Sequence, residues 1–435
     1  MILSRAGGES AREDSTAILP PRALYLHMPL CASKCGYCDF FSVPAAILPR
    51  DGELQLVDSI LDRAGELLRR FGSDRVDTIY VGGGTPTVLP PQVLDRLLAG
   101  AGKLAMDRRG ARPEEWTVEA NPDSLGPESL AVMAARGVTR ISIGVQSLEP
   151  AELATLARRH SPEAALSAVS AAAAAGFSVS VDLMAGLPWP RGELPNTPQR
   201  LDRFARELIE AGATHLSIYD LTLEEGTPLA RRASELDFPG ESLVCEARQA
   251  LEAELSAAGM RRYEVSNYAA PGGECLHNLA YWRMDSYVGA GPSAVSTIRL
   301  AGGGSLRIEE ARDLEAYSGA AAVETAIDPK DAMFETIMMA FRTSFGLDEV
   351  AFLQRFGVEA ASLIGATLSA WAERIGPGEP WPGFESSQGS ARGVARRVAR
   401  RVALDGLGLD LLNRFLCECL IEMERAPATA VLHGA

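Results

Sequence analysis

Cys31, Cys35 and Cys38 stand in the run Leu30-Cys-Ala-Ser-Lys-Cys-Gly-Tyr-Cys-Asp39, a C-x3-C-x2-C spacing with Tyr37 just before the last sulfur. One short loop can wrap three thiolates at that spacing around a cubic iron–sulfur cluster. Four irons ask for four ligands, so three cysteines leave one iron open to hold a small molecule. The same residues could also be structural thiols, or a zinc site short of its fourth ligand. With 7 cysteines in 435 residues, two more at fixed offsets from a given one arise by chance roughly three times in ten thousand, so the spacing carries weight. Cys245, Cys275, Cys417 and Cys419 show no such pattern.

Two later stretches also hold residues suited to chemistry. In Val81-Gly-Gly-Gly-Thr-Pro-Thr87 the missing Cβ atoms let backbone come within contact of a ligand, although a glycine turn alone often means only a tight bend. Arg261-Arg-Tyr-Glu-Val-Ser-Asn267-Tyr precedes Cys275-Leu-His277-Asn278-Leu-Ala-Tyr281-Trp282-Arg283. An imidazole for iron, rings for flat contact and arginines for propionates are what a porphyrin site needs. A lone histidine among aromatics is nevertheless more often a satisfied core residue. Cys275 is a second candidate iron ligand.

The elements that must position these residues alternate. Short apolar or β-branched runs at Ala23–His27, Thr78–Val81, Trp116–Glu119, Arg140–Gly144, Ser178–Leu183 and His215–Tyr219 read as strands. Helical patterns lie between and after them at Leu54–Arg70, Pro91–Lys103, Pro127–Arg136, Pro162–Ala175, Pro198–Ala211 and Glu241–Ala258. Such repetition implies parallel strands with right-handed crossovers. Six units fit an α/β fold: an open, partial parallel (β/α)6 barrel related to the TIM barrel, with chemistry on the loops at the carboxyl ends of the strands. The cysteine loop follows the first strand, as that geometry requires. Glu119, Gln146 and Asp182 fall at the ends of the third, fourth and fifth strands, where buried polar groups face ligand or are tied into structural hydrogen bonds. Past residue 300 the patterns at Met333–Arg342, Leu347–Phe356, Glu359–Arg374, Arg392–Arg401 and Leu404–Met423 are helical, with a Gly/Pro/Ser-rich loop over Gly376–Gly393. The expected division is a flexible N-terminus over 1–20, the barrel with a porphyrin-binding extension over 21–300, and a small, mainly helical C-terminal domain over 301–435.

Composition narrows the function. At 47% hydrophobic and 23% charged residues with net charge −15, the chain reads as globular and makes nucleic acid a poor partner. No apolar run approaches 18 residues, and residues 1–20 carry charge without an apolar segment, so neither an integral membrane protein nor a secretory signal is expected. Clustered thiols then point to a reducing, cytoplasmic setting.

The C-x3-C-x-aromatic-C loop resembles the radical S-adenosylmethionine superfamily. Tyr25-Leu-His27-Met-Pro29 before it and Asp39-Phe40 after it resemble the branch of oxygen-independent coproporphyrinogen III oxidases and related heme chaperones. That resemblance implies a [4Fe–4S] cluster on Cys31, Cys35 and Cys38, with S-adenosylmethionine on its open iron. Gly83, Gly84 and Thr85 would then receive the methionine amino group. Tyr25, Tyr37, Glu119, Gln146, Arg158 and Asp182 would also bind this cofactor, Arg158 pairing with its carboxylate. At the residue before Arg158 the family's usual glycine is Ala157. His277-Asn278-x-x-Tyr281-Trp282 resembles a chaperone motif whose histidine is implicated in heme binding, which makes His277 the candidate iron ligand.

Two functions compete under that resemblance. A heme chaperone would pass heme to an acceptor, a respiratory hemoprotein, and relatives imply a homodimer. A coproporphyrinogen III oxidase would cleave S-adenosylmethionine to a radical that abstracts hydrogen from a propionate before decarboxylation. The oxidases have a fourth cysteine where this chain has Phe40, and a longer segment than the 24 residues ahead of Tyr25. Both differences favour the chaperone. A pure electron-transfer protein would have no use for the S-adenosylmethionine residues.

Overall fold

The apolar runs pair as parallel strands because both faces of each are buried. These are β1 (Ala23–Met28), β2 (Thr78–Gly83), β3 (Glu115–Ala120), β4 (Arg140–Gln146), β5 (Ser178–Ala185) and β6 (His215–Asp220). They lie in sequence order, each parallel to the next. After them come α1 (Gly52–Arg70), α2 (Pro91–Ala105), α3 (Pro127–Arg136), α4 (Pro162–Ala174), α5 (Leu201–Glu210) and α6 (Glu241–Ala257). Proline at the first turn of α2, α3 and α4 fits the fixed φ of a helix start, and the Ser161 hydroxyl accepts from Ala164 N–H at 3.3 Å to cap α4. The computed structural model describes residues 17–106, 110–317, 322–379, 382 and 401–425.

The barrel is open because its two edge strands find other partners. Beyond β6 lie β7 (Arg261–Arg262) and β8 (Asn267–Ala269), with β8 antiparallel to β6. Beyond β1 lies β9 (Tyr287–Ala290), parallel to it, and then antiparallel β10 (Val295–Arg299), β11 (Ser305–Glu309) and β12 (Val323–Ile327). The result is one 12-stranded sheet around a partial (β/α)6 barrel. Helix α7 (Leu276–Trp282) packs near β2 and carries the His277 motif.

A second apolar cluster, from Ala332 to Met423, forms the C-terminal region around α8 (Pro329–Ala340), Glu349–Phe356, Ala361–Ala370 and Leu412–Arg425. This region is mainly helical but also contains a three-stranded antiparallel sheet of Leu347–Asp348, Ile375–Pro377 and Arg401–Leu404. The helix read over 392–401 therefore fails at Arg401, which opens a strand; residues 392–400 lie outside the described residues. The helix read from Leu404 begins only at Gly406 and breaks at Leu411. Among the described residues, no helix is long and apolar enough to cross a membrane.

At the foot of the barrel, Glu115 and Arg140 form an ion pair at 3.2 Å with both residues about 5% exposed. The Glu115 carboxylate also accepts the backbone N–H of Leu276 at 3.1 Å and of His277 at 2.9 Å, the unsatisfied donors at the start of α7. Arg140 in turn donates to the carbonyls of Gly273 and Glu274. Glu115→Ala should therefore cost about 3–5 kcal/mol in denaturant unfolding, because it leaves a buried guanidinium unpaired. Removing Arg96 from its exposed pair with Asp58 should barely move the transition.

Candidate functional site

The cysteine loop leaves β1 through Leu30–Cys31, which pairs with Val43–Pro44 and so closes the loop on itself. Gly36 N–H donates to Leu156 O at 3.1 Å, and Gly36 O accepts from Leu229 N–H at 2.7 Å. Those two bonds hold the loop over the carboxyl ends of the strands. Cys31, Cys35 and Cys38 are all half-buried free thiols. Tyr37 packs beside a small apolar cluster that includes Leu156 and Leu229.

A chain of hydrogen bonds joins two of the sulfurs across the site. The Thr85 hydroxyl donates to Cys31 Sγ at 3.7 Å, and Asn121 Nδ2 donates to Thr85 Oγ1 at 3.0 Å. Arg158 donates to Asn121 Oδ1 at 2.8 Å, to Gly144 O and to Cys35 Sγ at 3.3 Å. Asn121 had no place in the sequence reading. It stands one residue past β3, and the strand-end rule that picks out Glu119 would have found it.

The glycine run has its reasons inside the protein. A Cβ at Gly82 would lie 2.5 Å from the Glu119 carboxyl carbon, one at Gly83 would enter the His27 ring, and one at Gly84 would lie 2.6 Å from two backbone carbonyls. Gly83 also takes φ +91 and gives its N–H to Glu119 at 2.9 Å. Tyr80 donates to the other Glu119 oxygen at 2.8 Å. Burial pushes Glu119 up to about 7 and Asp182 up to about 6, and Ser142 donates to Asp182 at 3.4 Å. Gln146 sits at a bulge in β4 with φ +70, its amide near Gly144 and Arg158. Ala157 takes φ +57, the conformation that suits glycine, so the departure noted in the sequence places an L-residue in the left-handed region.

The donor set fits a cluster. Burial, with neighbouring thiol charge adding to it, pushes the Cys31 and Cys38 thiols up; bound iron would reverse that preference. Among the described residues, no three His, Cys, Asp or Glu side chains gather about one ion position. A cubane does not ask for that, since its three thiolates bind three different irons. Arg158 Nε is buried with no partner among the described residues, which leaves a donor for an anionic group.

On the β9 side of the loop, Tyr25, Tyr80, Tyr281 and Tyr287 line a cavity of about 380 Å³ with His27, His277 and Phe40. Tyr25 OH meets His27 Nδ1 at 2.9 Å, and His27 Nε2 meets Phe41 O at 2.9 Å. His277 is fully buried, with Nδ1 at 2.9 Å from Thr78 Oγ1 and Nε2 at 2.9 Å from Tyr281 OH. Burial pushes its pKa down to about 3. Both ring nitrogens are thus committed within the protein, and ligation of iron by His277 would require one of these contacts to break. Cys275 is buried against Glu115 Oε1 at 3.3 Å, and burial pushes its thiol up.

Comparison with known proteins places these features together. A sequence model of the radical SAM superfamily matches residues 25–201, and one of the HemN C-terminal domain matches residues 327–376. "Heme chaperone HemW" of Mycobacterium tuberculosis (strain CDC 1551 / Oshkosh) is 41% identical over 288 residues, 63% of this chain and 69% of the relative. "Heme chaperone HemW" of Escherichia coli (strain K12) is 34% identical over 348 residues, 78% of this chain and 87% of the relative. Among solved structures, coproporphyrinogen III oxidase (HemN) from Escherichia coli superposes with a TM-score of 0.69 over 95% of this chain and 93% of its own, at 20% identity. That last likeness speaks for fold alone.

Two measurements test the geometry of the site. Ala157→Gly should raise stability by about 1 kcal/mol, read as a higher denaturation midpoint, by relieving the left-handed alanine. Glu119, raised from 4.5 to about 7, stabilises the bare fold most below its unfolded pKa and loses that contribution as pH rises through 7. Relative to Glu119→Gln, the wild type without cofactor should lose about 3 kcal/mol between pH 4.5 and 7. Parallel pH profiles for the two proteins would refute the raised carboxyl.

Proposed function

Because the chain belongs to the radical SAM superfamily, in the group of heme chaperones that carries a HemN C-terminal domain, we propose that it binds a [4Fe–4S] cluster, S-adenosylmethionine and heme and passes the heme to an acceptor hemoprotein. Cys31, Cys35 and Cys38 hold the cluster in this reading, and Thr85 and Arg158 donate to two of its sulfur ligands. When bound, such a cluster supplies an open iron that can chelate S-adenosylmethionine and electrons that can cleave it. The side chains gathered around that position suit the cofactor. Glu119 and Asp182 offer carboxyl groups to a cation, Arg158 answers a carboxylate, and Tyr25 and Tyr37 present aromatic surface. Gln146 and the Gly83–Thr85 turn complete the lining.

Phe40 is the observation that carries the chaperone over the oxidase. It occupies the position of the oxidases' fourth cysteine, and it is 70% exposed beside the tyrosine cavity. A phenyl ring there can neither ligate iron nor move a proton or an electron pair at a substrate propionate. The two named heme chaperones among the relatives support the same choice.

The deciding experiment is anaerobic reconstitution followed by two parallel assays, heme titration and release of 5′-deoxyadenosine with coproporphyrinogen III. Wild-type protein should bind heme and convert no coproporphyrinogen III. Cys31→Ala, Cys35→Ala and Cys38→Ala should each lose the cluster absorbance, whereas Cys245→Ala should keep it. Robust turnover of coproporphyrinogen III by the wild type would restore the oxidase.

A further inference from the structure

A second cavity, of about 690 Å³, lies at the opposite end of the barrel from the cysteine loop. Its walls are the first residues of β1 and β2, the turn into β9, the end of β10, and the C-terminal region around Leu347–Phe352. Five arginines line it, Arg22, Arg283, Arg299, Arg355 and Arg401, against three carboxylates, Asp77, Asp285 and Asp348. That local excess of positive charge stands out in a chain of net charge −15.

The arginines are unevenly neutralised. Arg22 pairs with Asp77 at 3.4 Å and Arg401 with Asp348 at 3.2 Å. Arg283 and Arg299 share one carboxylate, Asp285, at 2.6 and 3.6 Å. Arg355 donates to the Thr336 hydroxyl at 3.2 Å and to Gly303 O at 3.3 Å, and no carboxylate lies within 4.0 Å of it among the described residues. The Nε atoms of Arg299, Arg355 and Arg401 are buried without a partner among the described residues. Burial, with Arg299 adding to it, pushes Arg355 down to about 9, and burial pushes Arg299 down as well. Cations held this way are unfavourable in the bare protein and favourable once an anion sits between them.

Trp282 lines the same cavity, and its indole Nε1 is buried without a partner among the described residues. It ends α7, whose other residues Asn278 and Tyr281 line the cavity on the cluster side. A wall with several guanidinium groups and an indole fits a planar ligand that ends in carboxylates. The cavity also falls within the size range of sites for such molecules, roughly 300–1,000 Å³.

We propose that this cavity receives the propionate end of a heme, with Arg299 and Arg355 answering the carboxylates and Trp282 offering flat contact. The inference rests on the heme-binding reading above and adds where on the chain the propionates are held. It separates that end of the ligand from the S-adenosylmethionine site, with α7 as the partition.

The test compares hemin with hemin dimethyl ester, in which both carboxylates are capped, by absorbance titration of the full-length chain. Wild type should bind hemin at least about tenfold more tightly than the ester, since a charge-assisted contact contributes about that factor or more. Arg299→Gln and Arg355→Gln should each weaken hemin about tenfold, leave the ester unchanged and leave the Soret position where it was. Without ligand, Arg355→Gln should melt no lower than wild type, an outcome that a merely structural arginine would not give. Equal affinity of wild type for hemin and ester would overturn the proposal without any variant having to fold. So would hemin affinities in the two variants that match wild type. Failure of wild type to bind either compound would bring down the heme-chaperone reading itself, and this inference with it.

Discussion

The Glu115 carboxylate, buried at the foot of β3, answers Arg140 from β4 and two free N–H groups at the start of α7. A charge taken this far from water is tolerable only when its lone pairs are filled, and here they are. One Arg140 nitrogen donates to the carbonyls of Gly273 and Glu274, in the turn that leads into α7. One ion pair therefore fixes where a seven-residue helix begins, a helix too short to hold its place by its own hydrogen bonds. Because α7 divides the cavity beside the cysteine loop from the arginine-lined cavity at the other end, the position of both depends on that pair.

At the carboxyl ends of the strands the protein holds charge in an environment that resists it. Glu119, Asp182 and the thiols of Cys31 and Cys38 are all raised by burial, and Arg158 stands among them with a buried, unanswered Nε. In the bare chain burial shifts each of these groups toward its neutral form. A site of this kind suits ligands that bring positive charge and a carboxylate together, because each then offsets a desolvation already incurred. The arginine cavity follows the same logic with the sign reversed. Burial lowers Arg355 and Arg299, with Arg299 adding to the effect on Arg355 and Arg283 to that on Arg299. One end of the barrel thus gathers buried carboxyl groups and the other gathers arginines, within a chain whose overall balance is negative.

His277 shows how a motif can be legible while its geometry is not. The sequence offered two readings, an iron ligand or a satisfied core residue. The folded chain gives its nitrogens to Thr78, 199 residues earlier, and to Tyr281, four residues later. The second partner is a helical i,i+4 neighbour and could be read from spacing. The first depends on β2 passing beneath α7, which no local pattern reveals. Asn121 and the Thr85–Arg158 chain escaped the sequence for the same reason, since each link joins a different strand end.

The sequence alone determined the cysteine loop, the alternation of strands and helices, and the strand ends where Glu119 and Gln146 fall, because these follow from short-range spacing and hydrophobic period; Asp182, read at the end of a strand, lies three residues inside one that runs on to Ala185. It also marked Ala157 as a departure, and the positive φ there supplies the reason. Helical period misled it near the C-terminus, where helices read as ending at Arg401 and starting at Leu404 give way to a strand, Arg401–Leu404, between Leu347–Asp348 and Ile375–Pro377. Strand pairing depends on partners distant in the chain, and period cannot see them. Tertiary structure alone decided that the three glycines make room for Glu119, His27 and backbone carbonyls. It alone decided that the sheet grows to 12 strands by adding pairs at both open edges. And it alone gathered five arginines, from Arg22 to Arg401, around one cavity, because the attraction of an anion for several cations is set by distance in space and not along the chain.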